Sequence, residues 1–143
     1  EGELMIIDFG CVKQIPDEFY QPYFELADPH LLKNDLLFTE KLYQLEVLRE
    51  DDTEQEVAFF KIMFHELLEL FTRPLISDSF DFTDQSYFVS LAEIGEKYAK
   101  KTELRKMNGN RGSRHFIYMN RTFFGLYYLM NDLGANNIKM QNV

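Results

Sequence analysis

Thr53-Glu54-Gln55-Glu56-Val57-Ala58-Phe59-Phe60-Lys61-Ile62-Met63-Phe64-His65-Glu66-Leu67-Leu68-Glu69-Leu70-Phe71-Thr72-Arg73-Pro74 is the stretch whose reading decides the fold. Its first four residues form a capping box, in which a Thr hydroxyl and a Glu carboxylate each satisfy a backbone N–H that a helix start leaves without a partner. Behind the box, Val57, Phe60, Phe64, Leu67 and Phe71 step by three and four, one apolar stripe on a long helix. Pro74 is expected to stop it, because the residue before a proline is driven out of the helical region.

The same periodicity recurs on both sides. Pro16 suits the first turn of a helix that runs to about Ala27, with Asp17 and Glu18 at the positive end of its dipole. Asp28-Pro29 restarts the chain as an N-cap with proline at the first helical position. Leu31 to Leu48 reads helical, with a break at Asn34-Asp35. The stretch from Ser77 to Thr83 is a polar loop with two aromatic anchors. A helix from about Asp84 to Lys101 follows, with Tyr87, Leu91, Ile94 and Tyr98 on one face. Residues 107–113 are loop by composition. Ser113 can cap a last helix whose Phe116, Met119, Phe123, Leu126, Met130 and Leu133 form the apolar stripe, with Gly134 at its C′ position. Residues 136–143 are expected to fray. Upstream, Leu4-Met5-Ile6-Ile7 is a short strand without polar alternation, suited to burial on both faces. The expected class is therefore mainly α, a short N-terminal strand followed by five or six helices.

Composition agrees. The 143 residues suffice for one domain with a sizeable core, and 14 Phe and 8 Tyr without a Trp point to a folded chain. The single cysteine, Cys11, excludes an internal disulfide framework, and a buried structural thiol is its expected role. No apolar run reaches the roughly 18 residues that a membrane span requires. A cytoplasmic location follows as the expectation, with attachment at the membrane surface left open. The chain has no initiator Met and opens directly into the strand-like run, so it reads as a piece of a longer protein.

The net charge of −9 conceals an asymmetry: residues 1–96 carry −16 and residues 97–143 carry +7. The basic group comprises Lys97, Lys100, Lys101, Arg105, Lys106, Arg111, Arg114 and Arg121. The plain reading is that this segment packs beside the acidic part of the same chain; the sharper one is a surface facing phosphate or lipid headgroups. The acidic first two-thirds argues against nucleic acid.

Asp8-Phe9-Gly10 follows the apolar run directly. A carboxylate at the end of a buried strand, with glycine two residues on to turn the chain, can hold Mg²⁺ against nucleotide phosphates. The segment Leu4-Met5-Ile6-Ile7-Asp8-Phe9-Gly10-Cys11-Val12-Lys13-Gln14-Ile15-Pro16 resembles the AarF/UbiB (ABC-one-like) family around its metal-binding Asp-Phe-Gly. Met119-Asn120-Arg121-Thr122-Phe123-Phe124-Gly125-Leu126-Tyr127-Tyr128-Leu129-Met130-Asn131-Asp132-Leu133-Gly134-Ala135 is similar to that family's C-terminal Asn-Arg-Thr-Tyr-Phe-Gly-Leu-Tyr motif. The two motifs lie near the two ends in the expected order, while the middle matches only as generic helices.

The resemblance implies part of a protein-kinase-like C-lobe spanning residues 1–143, in which Asp8, Phe9 and Gly10 touch the cofactor site and Asp8 binds the metal. It implies Mg²⁺ and ATP as cofactors of the parent protein, and a role in isoprenoid-quinone metabolism. The nucleotide-covering loop, the strand lysine with its helix glutamate, and the catalytic loop of that family have no counterpart in these residues. Since phosphoryl transfer is mostly positioning and charge neutralisation, the piece alone is expected to be inactive, to bind no cofactor and to contain no catalytic residue. Its expected partners are the upstream lobe, a lipid or quinone, and a second copy joined through the orphan strand at residues 4–7. A reading of a different class is a helical interaction module that docks a protein or lipid through its basic segment and aromatic stripes.

Three other features have plain readings. Arg121, inside the last apolar pattern, is expected to be buried and ion-paired to an earlier helix. His30, His65 and His115 are too far apart to mark a metal site, and His65-Glu66 lacks the second His of a zinc motif because residue 69 is Glu. The Phe/Tyr/Met stripes are read as core, not as a lipid groove.

Overall fold

A computed structural model describes residues 12–101, 112 and 114–140, and the chain is mainly α. Seven helices are present among the described residues: α1 (Asp17–Glu25), α2 (Pro29–Leu32), α3 (Asp35–Gln44), α4 (Glu54–Phe71), α5 (Arg73–Ile76), α6 (Gln85–Ala99) and α7 (Arg114–Asp132). Two short strands, β1 (Ser79–Phe80) and β2 (Ile138–Lys139), pair antiparallel with Ser79 opposite Lys139 and Phe80 opposite Ile138. The strand expected at residues 4–7, Cys11 and the Ser113 cap lie outside the described residues.

The helix starts are set locally. Thr53 Oγ1 accepts from Glu56 N at 3.2 Å while the Glu56 carboxylate accepts from Thr53 N at 2.8 Å, so the capping box of α4 is complete. Asp28, Asn34 and Asp84 cap α2, α3 and α6 through side-chain oxygens that accept backbone N–H groups. Pro16 sits at the N-cap of α1, one position before the first turn expected of it. Pro74 does not simply stop the chain: the helix ends at Phe71, and Arg73-Pro74 opens the four-residue α5, where a missing N–H costs nothing.

The helix ends are equally local. At the end of α7, Ala135 N donates to Met130 O and Gly134 N to Asn131 O, both at 2.9 Å, with Gly134 at φ +64°. This is a Schellman motif with glycine at C′, as the sequence suggested. The end of α3 repeats the motif: Val47 N donates to Leu42 O at 2.9 Å and Glu46 N to Tyr43 O at 3.0 Å. Its C′ residue is Glu46, held at φ +59°. Val47 and Leu42, both fully buried, supply the apolar contact that accompanies the turn.

α4 forms the centre. It packs on α6, while α1 and α2 lie against α3. α7 closes the core through aromatic rings: Phe71 meets Phe123, Phe124 and Tyr127, and Phe116 meets Phe64, Phe19 and Tyr23. Most of these pairs are edge-to-face, each contributing about 0.5–1.5 kcal/mol beyond simple burial. The aromatic stripes are thus predominantly core.

The C-terminal residues correct an expectation. Residues 136–143 were expected to fray, yet 138–139 pair with β1, Met140 N donates to Asp78 O at 3.0 Å, and Phe82 N donates to Ala135 O at 2.9 Å. A two-residue strand carries almost no periodicity, so the pairing is set by the loop it meets. Residues 141–143 lie outside the described residues.

Candidate functional site

Asp8, Phe9 and Gly10, the residues expected to form the site, lie outside the described residues. What the structure places is the stretch immediately after them. Val12 to Pro16 runs without regular structure into α1, with Val12 exposed and Ile15 packed against the core. Lys13 Nζ lies 4.3 Å from the centroid of the Tyr118 ring, a cation–π contact that fixes this stretch against the first half of α7.

A polar cleft of about 540 Å³ opens beside that entry, lined by Pro16, Glu18, Phe19, Gln44, Glu46, Arg114 and His115. Three parts of the chain converge there: the start of α1, the α3 turn and the start of α7. Gly112 N donates to Glu46 O at 2.9 Å, which ties the segment before α7 to the turn. The His115 ring stands 5.5 Å from Phe19. Glu46 holds a backbone conformation that disfavours any side chain, and its carboxylate lines the cleft. The cleft offers carboxylates, an amide, a guanidinium and an imidazole, a set able to bind a polar ligand bearing both signs of charge.

Among the described residues, no group of three His, Cys, Asp or Glu side chains could hold a metal ion.

A second groove, of about 560 Å³, lies between α2, α3 and α4 and is lined by Lys33, Asp35, Phe38, Lys61, Ile62, His65 and Glu66 among others. Much of its polarity is already engaged within the chain. Lys61 pairs with Asp35 at 2.6 Å, and His65 Nε2 donates to Leu32 O at 3.1 Å. Glu66 accepts from Lys97 Nζ at 2.5 Å and from Tyr98 Oη at 2.7 Å. The Lys97 and Tyr98 hydrogen bonds hold the Glu66 carboxyl below the usual carboxylate range, and the same contact pushes Lys97 up. This groove braces helices. It also begins the neutralisation expected between the basic segment and the acidic body, since Lys97 comes from the former and Glu66 from the latter.

The second motif, residues 119–135, divides by face. Asn120, Tyr127 and Asn131 turn inward and clamp α7. Tyr23 Oη donates to Asn120 Oδ1 at 2.8 Å, Tyr127 Oη donates to Phe71 O at 3.1 Å, and Asn131 Nδ2 donates to Phe82 O at 2.6 Å. Burial pushes the Tyr23 and Tyr127 phenols upward in pKa, so both remain donors. Arg121 faces outward: it is exposed and makes no ion pair with a described residue, contrary to the expectation of a buried lock. The locking role belongs to the two asparagines and Tyr127. Sequence reasoning missed them because a three-four stripe drawn only through apolar residues runs through Leu126 and Leu133, which are exposed, and past these three.

An apolar cavity of about 210 Å³ between α4 and α7, bounded by Phe64, Leu67, Leu68, Phe71, Phe116 and Phe124, has the Asn120 amide as its polar element. No helix among the described residues is long and apolar enough to cross a membrane. No protein-family model matches the chain, and no curated protein or solved structure matches it significantly.

Proposed function

We propose that this chain is the C-terminal part of an AarF/UbiB-like atypical kinase or ATPase, in which Asp8 holds Mg²⁺ against the phosphates of ATP. The observation that carries the reading is the Asp8-Phe9-Gly10 triplet directly behind a four-residue apolar run, together with the long Met119-to-Ala135 motif at the other end. The mainly helical body is compatible with a kinase-like C-lobe, and the clamps made by Asn120, Tyr127 and Asn131 give the second motif a physical purpose.

In this reading the chain's own residues position and do not transfer. Asp8 is the one metal donor, Phe9 packs inward to orient it, and Gly10 permits the turn. The polar cleft at Glu18, Glu46 and Arg114 lies beside Pro16 at the start of α1. The parent's role in isoprenoid-quinone metabolism, and its contact with the upstream lobe and with lipid or quinone, belong to the same proposal.

The test is Mg²⁺-dependent ATP turnover by the chain extended upstream in its parent protein, comparing wild type with Asp8→Asn. Turnover lost in the variant, with the melting temperature unchanged, supports the reading. Equal turnover in both proteins removes Asp8 from the site, and no turnover in either leaves the docking-module reading as the better one.

A further inference from the structure

The outer face of α7 carries several exposed apolar side chains. Tyr118, Leu126 and Leu129 on the 19-residue α7 are 51%, 49% and 44% exposed, and Leu133, directly after the helix, is 60% exposed. Between them lies Gly125, where an added Cβ would meet nothing within 4 Å, so the backbone itself is open to a neighbour. Isolated exposed leucines are ordinary, but Leu126, Leu129 and Leu133 lie on neighbouring turns and form an apolar patch, with Tyr118, whose ring carries Lys13, about two turns before it.

The patch is bordered by charge in a particular way. At about 100° per residue, Tyr118, Thr122, Gly125 and Leu129 fall within a narrow arc that forms the crest. Arg121 and Asp132 fall about 20° apart on one flank, while Leu126 and Leu133 fall about 20° apart on the other. Both Arg121 and Asp132 are exposed, and neither makes an ion pair with a described residue. They are separated by about 16 Å along the axis, and the midpoint falls beside Leu126.

We infer that this face binds a second copy of the same chain, α7 against α7 in antiparallel two-fold pairing centred beside Leu126. In such a pair the two-fold sets each flank against the same flank of the other helix. Arg121 then faces Asp132 of the second copy, and Asp132 faces Arg121 of the second copy, so one surface supplies both complementary charges. Leu129 lies over the open backbone at Gly125 of the second copy, and the two Leu126 side chains meet near the axis. A parallel pair would instead set the Arg121 and Asp132 flank of each helix against the Leu126 and Leu133 flank of the other, leaving both charges without a complementary partner. This inference goes beyond the proposed nucleotide site and does not depend on it. It also differs from pairing through the strand at residues 4–7.

A 19-residue helix is about 28 Å long, so a strip one helix wide buries roughly 700 Å² over both copies. That is below the roughly 1,200 Å² of a stable specific interface, so the dimer is weak, with dissociation in the range of tens of micromolar to millimolar.

The experiment is sedimentation equilibrium of the 143-residue chain from 10 µM to 1 mM, in low and high salt. The expected mass rises from the monomer's 17.0 kDa toward twice that value, with weaker association in high salt. Arg121→Asp alone and Asp132→Arg alone should each weaken association about ten-fold or more, since each creates two like-charged pairs. The double variant Arg121→Asp with Asp132→Arg should recover to within about three-fold of wild type. Leu129→Lys should abolish association; all of these positions are exposed, so melting temperatures should not change. Leu129→Asn provides a milder second variant should the lysine disturb folding. A 17.0 kDa species at every concentration overturns the inference, as does a dimer indifferent to the Leu129 variants, or a double variant no better than either single one.

Discussion

Replacing Glu46 by glycine should make the protein more stable. Glu46 occupies the C′ position of the Schellman turn that ends α3, at φ +59°. A side chain there brings Cβ against the following carbonyl, at a cost of about 1–2 kcal/mol that glycine does not incur. Glycine adds freedom to the unfolded chain, which offsets about 0.4–1 kcal/mol of that gain. The bonds that hold the turn are all backbone: Glu46 N to Tyr43 O, Val47 N to Leu42 O, and Gly112 N to Glu46 O. The exposed carboxylate makes no hydrogen bond or ion pair with a described residue, so its loss removes no contact among them. The net expectation is a stabilisation of about 0.5–1 kcal/mol, or a rise of about 2–4 °C in melting temperature for a chain of this size. Urea denaturation should show a higher midpoint with an unchanged slope. Glu46→Ala is the decisive control because it removes the charge but keeps Cβ, and it should leave stability within about 0.5 kcal/mol of wild type. If alanine stabilises as much as glycine, the gain comes from charge and the conformational argument fails. If glycine is neutral or worse, the argument fails outright.

Three further outcomes follow from the clamps and the titrating groups. Tyr127→Phe removes the donor to the Phe71 carbonyl at the end of α4 and should lower unfolding free energy by about 1–2 kcal/mol, read by urea denaturation. The depressed Glu66 carboxyl contributes stability that is present above the ordinary glutamate value of about 4.3 and is lost as pH falls through the lower folded value. Accordingly, the stability difference between wild type and Glu66→Gln should shrink on acidification below about pH 4, and a constant difference down to pH 2 would contradict the ion pair. Tyr23, Tyr87 and Tyr127 are raised chiefly by burial, so the unfolded chain ionises first and stability should fall as pH rises through about 10. Phenolate absorbance should show these three ionising together with the loss of helix; ionisation ahead of unfolding would refute their burial.

The helices were legible where local chemistry dominates. The Thr53 to Glu56 box, the Asp84 cap and the Gly134 turn could each be read from a few residues, because the backbone groups they satisfy lie within one turn. The Glu46 turn gave no such signal: the residue at C′ is one that sequence rules do not place there, and burial of Val47 and Leu42 holds it against its own preference. The inward face of α7 was misassigned for a related reason. Asn120, Tyr127 and Asn131 look polar in isolation and become inward-facing residues only through partners 97, 56 and 49 residues away. The pairing of residues 138–139 with 79–80 is likewise a tertiary fact. The motif at residues 8–10, outside the described residues, could be read only from the sequence, whereas the cleft at Glu18, Glu46 and Arg114 arises only where three distant segments meet.

The most direct test of the nucleotide reading uses Mn²⁺, a paramagnetic stand-in for Mg²⁺, added with ATP to the isotope-labelled chain extended upstream. The account predicts broadening of amide signals centred on Asp8 and Gly10, fading along Val12 to Pro16, and its disappearance in Asp8→Asn while the remaining spectrum is unchanged. Broadening centred elsewhere, such as the groove at Asp35 and Glu66, or broadening that survives Asp8→Asn, would contradict it.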